Sequence, residues 1–133
     1  MKKEIMIIGG GLAGCEAALY LADQGWKVKL FEMRPVVQTP AHETGTLAEL
    51  VCSNSLKSTR LDTASGLLKA EINALGGKLL KLAESCSVPA GHALAVDRDS
   101  FAHKVEESIQ NHPLISLHRE EICELPETLS ILA

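Results

Sequence analysis

The chain has 133 residues, 46% hydrophobic and 23% charged, with a formal net charge of −4. That length fits one domain, and the apolar share excludes a wholly disordered chain. No apolar run nears the ~20 residues of a membrane span, and an acidic chain with one Trp, one Tyr and two Phe has no nucleic-acid footprint of its own.

At the start, Ile5-Met6-Ile7-Ile8 is a short, fully apolar run, the pattern of a parallel strand buried on both faces. Gly9-Gly10-Gly11-Leu12-Ala13-Gly14 then satisfies G-x-G-x-x-G. A helical pattern follows through Ala13, Ala17, Ala18, Leu21 and Ala22, and Gly25 closes it as a C-terminal cap. Val28, Leu30 and Phe31 form a second strand ending at Glu32, 18 positions beyond Gly14. This is near the spacing of an acidic residue that binds a ribose hydroxyl.

Each residue type has a task in such a corner. Gly9 permits the tight turn, Gly11 lets a diphosphate approach bare backbone, and Gly14 lets helix and strand pack closely. Free N–H groups and the dipole at the helix start favour the phosphate charge. Gly9, Gly10, Gly11, Leu12, Ala13, Gly14 and Glu32 are therefore the candidate cofactor-binding residues. The pattern leaves FAD and NAD open, while Glu32 disfavours a phosphorylated ribose. Arg34, just beyond, reads either as a contact to the adenosine or as a surface ion pair. A lipoprotein signal ending at Cys15 is the competing reading of the first 15 residues. It fails on an apolar run of four residues, broken by glycines and preceded by Glu4.

Val36 to Gly45 reads as loop, followed by the segment LAELVCSNSL from Leu47 to Leu56. Residues 61–74 carry Ala64, Leu67, Leu68 and Ile72, with Leu75 next, on one face of an amphipathic helix that Gly76-Gly77 breaks. Residues 78–86 read as a second helix. Residues 88–96 read as a loop leading into an extended segment. Residues 100–110 are helical through Phe101, Val105 and Ile109, with Asp99 or Ser100 as cap and local charge pairs among Asp97, Arg98 and Asp99. Residues 114–117 and 128–132 read as strands. The fold class is α/β: a Rossmann-like FAD/NAD(P)-binding βαβ with a parallel sheet and additional helices, incomplete at its C-terminus. Residues 1–35 hold the fingerprint, 36–60 the active-site loop, and 61–133 the helical insertion and returning strands.

The four cysteines, Cys15, Cys52, Cys86 and Cys123, include no C-x-x-C pair, and the five histidines show no paired-ligand spacing. No metal site and no disulfide scaffold is read from them, and a reducing, cytoplasmic compartment is expected. Cys15 reads as packed against the sheet. Cys52, among Ser53, Asn54 and Ser55, reads from the residues alone as a buried thiol behind Val51.

The segments FEMRP, TPAH, AELVCSNSLKS, GLLKAEI and VPAGHALAVDRDSF resemble the amino-terminal part of the folate- and FAD-dependent tRNA (uracil-5-)-methyltransferases, the TrmFO/Gid family. The opening GGGLAGCEAA is shared with the sister family that modifies the tRNA wobble uridine, and MRP and CSNSL favour the methyltransferases. The resemblance implies FAD held by the glycine corner and Glu32, methylenetetrahydrofolate as carbon donor, NAD(P)H as reductant, and C5 of a T-loop uridine in tRNA as acceptor. It assigns Cys52 to the active site, as the thiol beside the flavin. It also implies a longer enzyme, with the regions for folate, reductant and tRNA mostly outside these residues. In that reading the last strand runs into a Thr-Gly turn that is not part of this sequence. The chain alone is then a dinucleotide-binding module without turnover, with an incomplete sheet prone to self-association.

Overall fold

The structure is a computed structural model that describes residues 3–133. Strand β1 (Glu4–Ile8) leads through the glycine corner into helix α1 (Leu12–Asp23), which returns to strand β2 (Lys27–Phe31). β1 and β2 are parallel, with Ile5 opposite Val28 and Ile7 opposite Leu30. All four of those side chains are buried. Strand β6 (Ile115–His118) pairs with β2 and strand β7 (Ser130–Leu132) pairs with β1, both in parallel. The sheet order is thus β6-β2-β1-β7, the expected parallel α/β sheet.

The stretch required by the lipoprotein reading is folded here as strand, corner and helix. Cys15 is sealed inside at 0% exposure. Met1 and Lys2 of that reading lie outside the described residues.

The remaining elements are β3 (Ser55–Ser58), α2 (Ala64–Ala74), α3 (Leu79–Glu84), β4 (Ser87–Val88), β5 (Ala93–Val96) and α4 (Arg98–Gln110). β3, β5 and β4 form a second, antiparallel sheet, with a bulge between Ser55 and Ser58. Residues 36–60, expected to be loop throughout, therefore contain a strand. Its sequence, Ser-Leu-Lys-Ser, gives little apolar alternation, and the positive φ of Lys57 breaks its regularity.

The helix read through Ala13, Ala17, Ala18, Leu21 and Ala22 is α1, and its buried face is Gly14, Cys15, Ala18, Leu19 and Ala22, with Ala13 outward. Two further expectations are corrected. Only Gly66 of α2 is buried, and Leu67, Leu68 and Leu75 face solvent. The periodicity of α2 is real, but its apolar stripe points away from the core. Asp97 caps α4, accepting the Ser100 N–H at 2.8 Å. Asp97 stands immediately before the helix, whereas Asp99 and Ser100 lie inside its first turn, where a side chain cannot serve as N-cap. The core lies between the parallel sheet and α1, α3 and α4, with Phe101, Val105 and Ile109 of α4 fully buried.

Candidate functional site

The corner between β1 and α1 carries the geometry that its glycines predict. Gly9 has φ +111°, and its N–H donates to the Phe31 carbonyl at 2.8 Å. A Cβ on Gly14 would lie 1.8 Å from the Gly9 carbonyl oxygen. A Cβ on Gly10 would press Leu47 Cδ2 at 2.6 Å and Glu32 Oε2 at 2.8 Å. Gly11 differs, because nothing lies within 4 Å of the position its Cβ would take. Gly11 is also the N-cap of α1, and no side chain among the described residues caps that helix. Open space therefore adjoins bare amides at the positive end of a 12-residue helix. That combination suits a phosphate or diphosphate.

A cleft of about 370 Å³ opens at this corner, lined by Gly9, Gly10, Gly11, Glu32, Met33 and Arg34 among others. Glu32 is 5% exposed. Its Oε2 accepts the Gly10 N–H at 2.8 Å, and its Oε1 accepts the Arg34 N–H at 2.9 Å and Arg34 Nε at 2.8 Å. Burial pushes the Glu32 carboxyl up, but the Arg34 side chain and the N–H groups of Arg34 and Gly10 outweigh it. The group is held below the ordinary carboxylate range.

Arg34 is the largest correction among the site residues. It is not a surface ion pair, because its side chain is only 2% exposed. Its Nη1 reaches Glu49 Oε2 at 2.8 Å and the Thr44 carbonyl at 3.4 Å. Arg119 Nη1 in turn donates to the carbonyls of Arg34 at 3.0 Å and Gly45 at 2.6 Å, while its Nη2 reaches Glu106 Oε1 at 2.7 Å. Glu49, Glu106 and Arg119 thus belong to the frame of the site, and no motif marked them. Their pairing with residues 13 to 85 positions away along the chain carries no local sequence signal.

Leu12 and Ala13 at the start of α1 are exposed. They also line a second groove of about 510 Å³, which continues along Ser55, Leu56, Lys57, Leu68 and Ile72. The start of α1 thus stands between the two cavities. Cys52 is exposed, which corrects its reading as a buried thiol behind Val51, itself 43% exposed. Cys52 lines neither cavity. Its segment is held on one side by Ala48, whose N–H donates to the Gly10 carbonyl at 2.9 Å. On the other side Asn54 exchanges bonds with Val96 at 2.9 and 3.1 Å. Cys15 is buried, donates to the Gly10 carbonyl at 3.3 Å, and has its thiol pushed up to about 12 by burial first and Glu32 second. His42 lines the glycine cleft and meets Thr39 Oγ1 through Nδ1 at 2.5 Å. Among the described residues, no group of three His, Cys, Asp or Glu side chains forms a metal cluster. No helix among them is long and apolar enough to cross a membrane.

The parallel sheet, the glycine corner and the buried carboxylate at the end of β2 define a Rossmann-like α/β protein. The chain belongs to the glucose inhibited division protein A family, whose model matches residues 4–132. It is 54% identical to the "methylenetetrahydrofolate--tRNA-(uracil-5-)-methyltransferase TrmFO" of Lysinibacillus sphaericus over 97% of this chain and 30% of that protein. The protein of the same name from Bacillus subtilis is 53% identical over 99% of this chain and 30% of its own length. That from Aquifex aeolicus is 54% identical over 96% and 28%. The chain thus spans about 30% of the length of these relatives. A crystal structure of an MHPCO variant superposes with a TM-score of 0.49 at 17% identity, covering 88% of this chain and 32% of that one.

Proposed function

We propose that this chain is the FAD-binding part of an enzyme that methylates C5 of a T-loop uridine in tRNA, with methylenetetrahydrofolate as carbon donor and NAD(P)H as reductant. One observation carries the reading: identity of 52–56% over 92–100% of this chain to relatives named for that reaction. The corner supports it. The amides at the start of α1 would hold the diphosphate, with Gly11 leaving room for its approach. The Glu32 carboxylate would accept a ribose hydroxyl, and Arg34 would hold that carboxylate in place from behind. The groove starting at Leu12 and Ala13 would take the other end of the dinucleotide, and it includes Ser55, three positions after Cys52.

When bound, the flavin supplies carriage of a one-carbon unit and of reducing equivalents. The protein's part is to make uracil C5 nucleophilic. A thiolate adding at C6 of uracil creates an enolate at C5, and a thiol can also relay the C5 proton. Cys52 is exposed and is assigned that part of the chemistry. The setting is the cytoplasm, and self-association would run along β6 and β7, the outer strands of the parallel sheet.

The test has two stages. Titration with FAD, read by quenching of flavin fluorescence, is expected to saturate at one site per chain. The native-length protein is then assayed for methyl transfer to undermodified tRNA with methylenetetrahydrofolate and NADPH. Cys52→Ala is expected to abolish methylation while flavin stays bound. Absence of FAD binding overturns the cofactor reading. Modification confined to the wobble uridine transfers the protein to the sister activity.

A further inference from the structure

Around the glycine corner, one carboxylate outside the fingerprint occupies an unusual position. Glu49 joins the loop that contains it to the corner, its Oε2 meeting both Arg34 Nη1 and, at 3.3 Å, the Thr44 N–H. Oε1 accepts the N–H of Glu43 at 2.9 Å and of Thr44 at 3.2 Å, which closes residues 43–49 on themselves. Oε2 takes Arg34 Nη1 at 2.8 Å. The same guanidinium holds Glu32 Oε1 through Nε at 2.8 Å. One buried cation is thereby shared between the carboxylate of the cofactor cleft and the carboxylate that shapes the loop before Cys52. Burial pushes the Glu49 carboxyl up, but the Glu43 and Thr44 N–H groups and Arg34 more than offset it, so it stays ionised.

The rest of the segment is fixed as tightly. Leu47, Ala48 and Leu50 are buried. Ala48 has φ 52°, a left-handed backbone that a residue with a Cβ rarely adopts. In that conformation its N–H reaches the Gly10 carbonyl. Leu47 N–H is held by Glu106 Oε2 at 3.1 Å, and Arg119 joins Glu106 to the Gly45 carbonyl. Cys52 stands three positions after Glu49 and is exposed. A ribose hydroxyl that engages Glu32 shares that carboxylate with Arg34, and Arg34 cannot move without releasing Glu49.

We propose that Glu49 is a positioning residue: through Arg34 it joins the placement of the Cys52 segment to the state of Glu32 in the cofactor cleft. The proposal rests on the FAD reading of the cleft. Glu49→Gln keeps the shape and removes the charge that Arg34 shares. In the unaltered protein FAD is expected to change the alkylation rate of Cys52 by iodoacetamide about fivefold or more, read peptide by peptide because Cys123 is also exposed. In Glu49→Gln, FAD is expected to bind within about threefold of the unaltered affinity while its effect on Cys52 disappears. Hydrogen exchange is expected to rise at residues 43–50 and to stay unchanged in β1, β2 and α4. If Glu49→Gln fails to fold, Glu49→Asp, one methylene too short to meet Arg34 Nη1 and the Glu43 N–H at once, breaks the same link and is also expected to lose the effect of FAD on Cys52. FAD binding with an undiminished effect on Cys52 in the folded variant overturns the role of Glu49 alone. FAD binding to the unaltered protein with no effect on Cys52 overturns it too. No FAD binding by the unaltered protein overturns the cleft reading first.

Discussion

Gly14 rests against the carbonyl of Gly9 so closely that the smallest side chain would lie 1.8 Å from the oxygen. The first turn of α1 and the end of β1 therefore meet through bare backbone. Gly14→Ala must push the helix off the strand, at a cost of about 1–3 kcal/mol from overpacking. The denaturant midpoint is expected to fall accordingly with an unchanged slope. A midpoint equal to that of the unaltered protein would mean that the corner has slack.

Gly11 predicts the opposite separation. Its φ of −77° is open to any residue, and an added Cβ meets nothing within 4 Å. Gly11→Ala is expected to lower thermal stability only by the cost of Ala at an N-cap, about 0.5–1 kcal/mol, but to weaken FAD binding roughly tenfold or more, because the methyl would stand where the proposed diphosphate would come in. Thermal melts and flavin titration on the same preparation separate the two effects.

Arg34 sits between two carboxylates, and its removal strands both. Arg34→Ala is expected to cost about 3 kcal/mol, the low end for breaking a buried pair because Glu49 retains some contact with water. The pH response follows from the same pairs. Both carboxyls titrate below the ordinary glutamate value of 4.5 in the folded protein. They add stability above that value, and the contribution is lost as pH falls through their lowered folded values. Denaturation followed from about pH 6 to pH 3 is expected to show stability falling below about pH 4.5, with a smaller fall in Arg34→Ala.

The cysteines are expected to fall into two classes. A thiol reagent at about pH 8 is expected to label Cys52 and Cys123 and to leave Cys15 and Cys86 untouched. For Cys15 the neutral thiol is favoured fully below the ordinary 9.0, and that advantage is lost as pH rises toward about 12. Peptide mapping after timed labelling checks the order, and early modification of Cys15 would contradict the sealed position.

The legible part of this molecule was the part built by neighbours in sequence. Ile5–Ile8, the glycines, the helix and Val28–Glu32 lie close enough along the chain for spacing alone to place strand, turn, helix and carboxylate. The strands at residues 115–118 and 130–132 were also readable to within two residues, the first from the alternation of Leu114 to Leu117. What was not legible came from distance or direction. Nothing near Arg34 in the sequence announces Glu49, and nothing near Glu106 announces Arg119 or the amide of Leu47. The α2 pattern gave an apolar stripe but not the side on which it would lie. β3 escaped notice because two serines and a lysine in a four-residue strand leave one apolar position to read.

That outward stripe has a practical consequence for anyone handling the protein. Leu67 and Leu68 stand 49% and 55% exposed on α2, and Leu75, its C-cap, 76%. Fluorescent dyes that report loosened cores are therefore expected to bind these 133 residues while they are folded, so a bright signal from them is not by itself a sign of melting. Quality control should rest on cooperative unfolding instead.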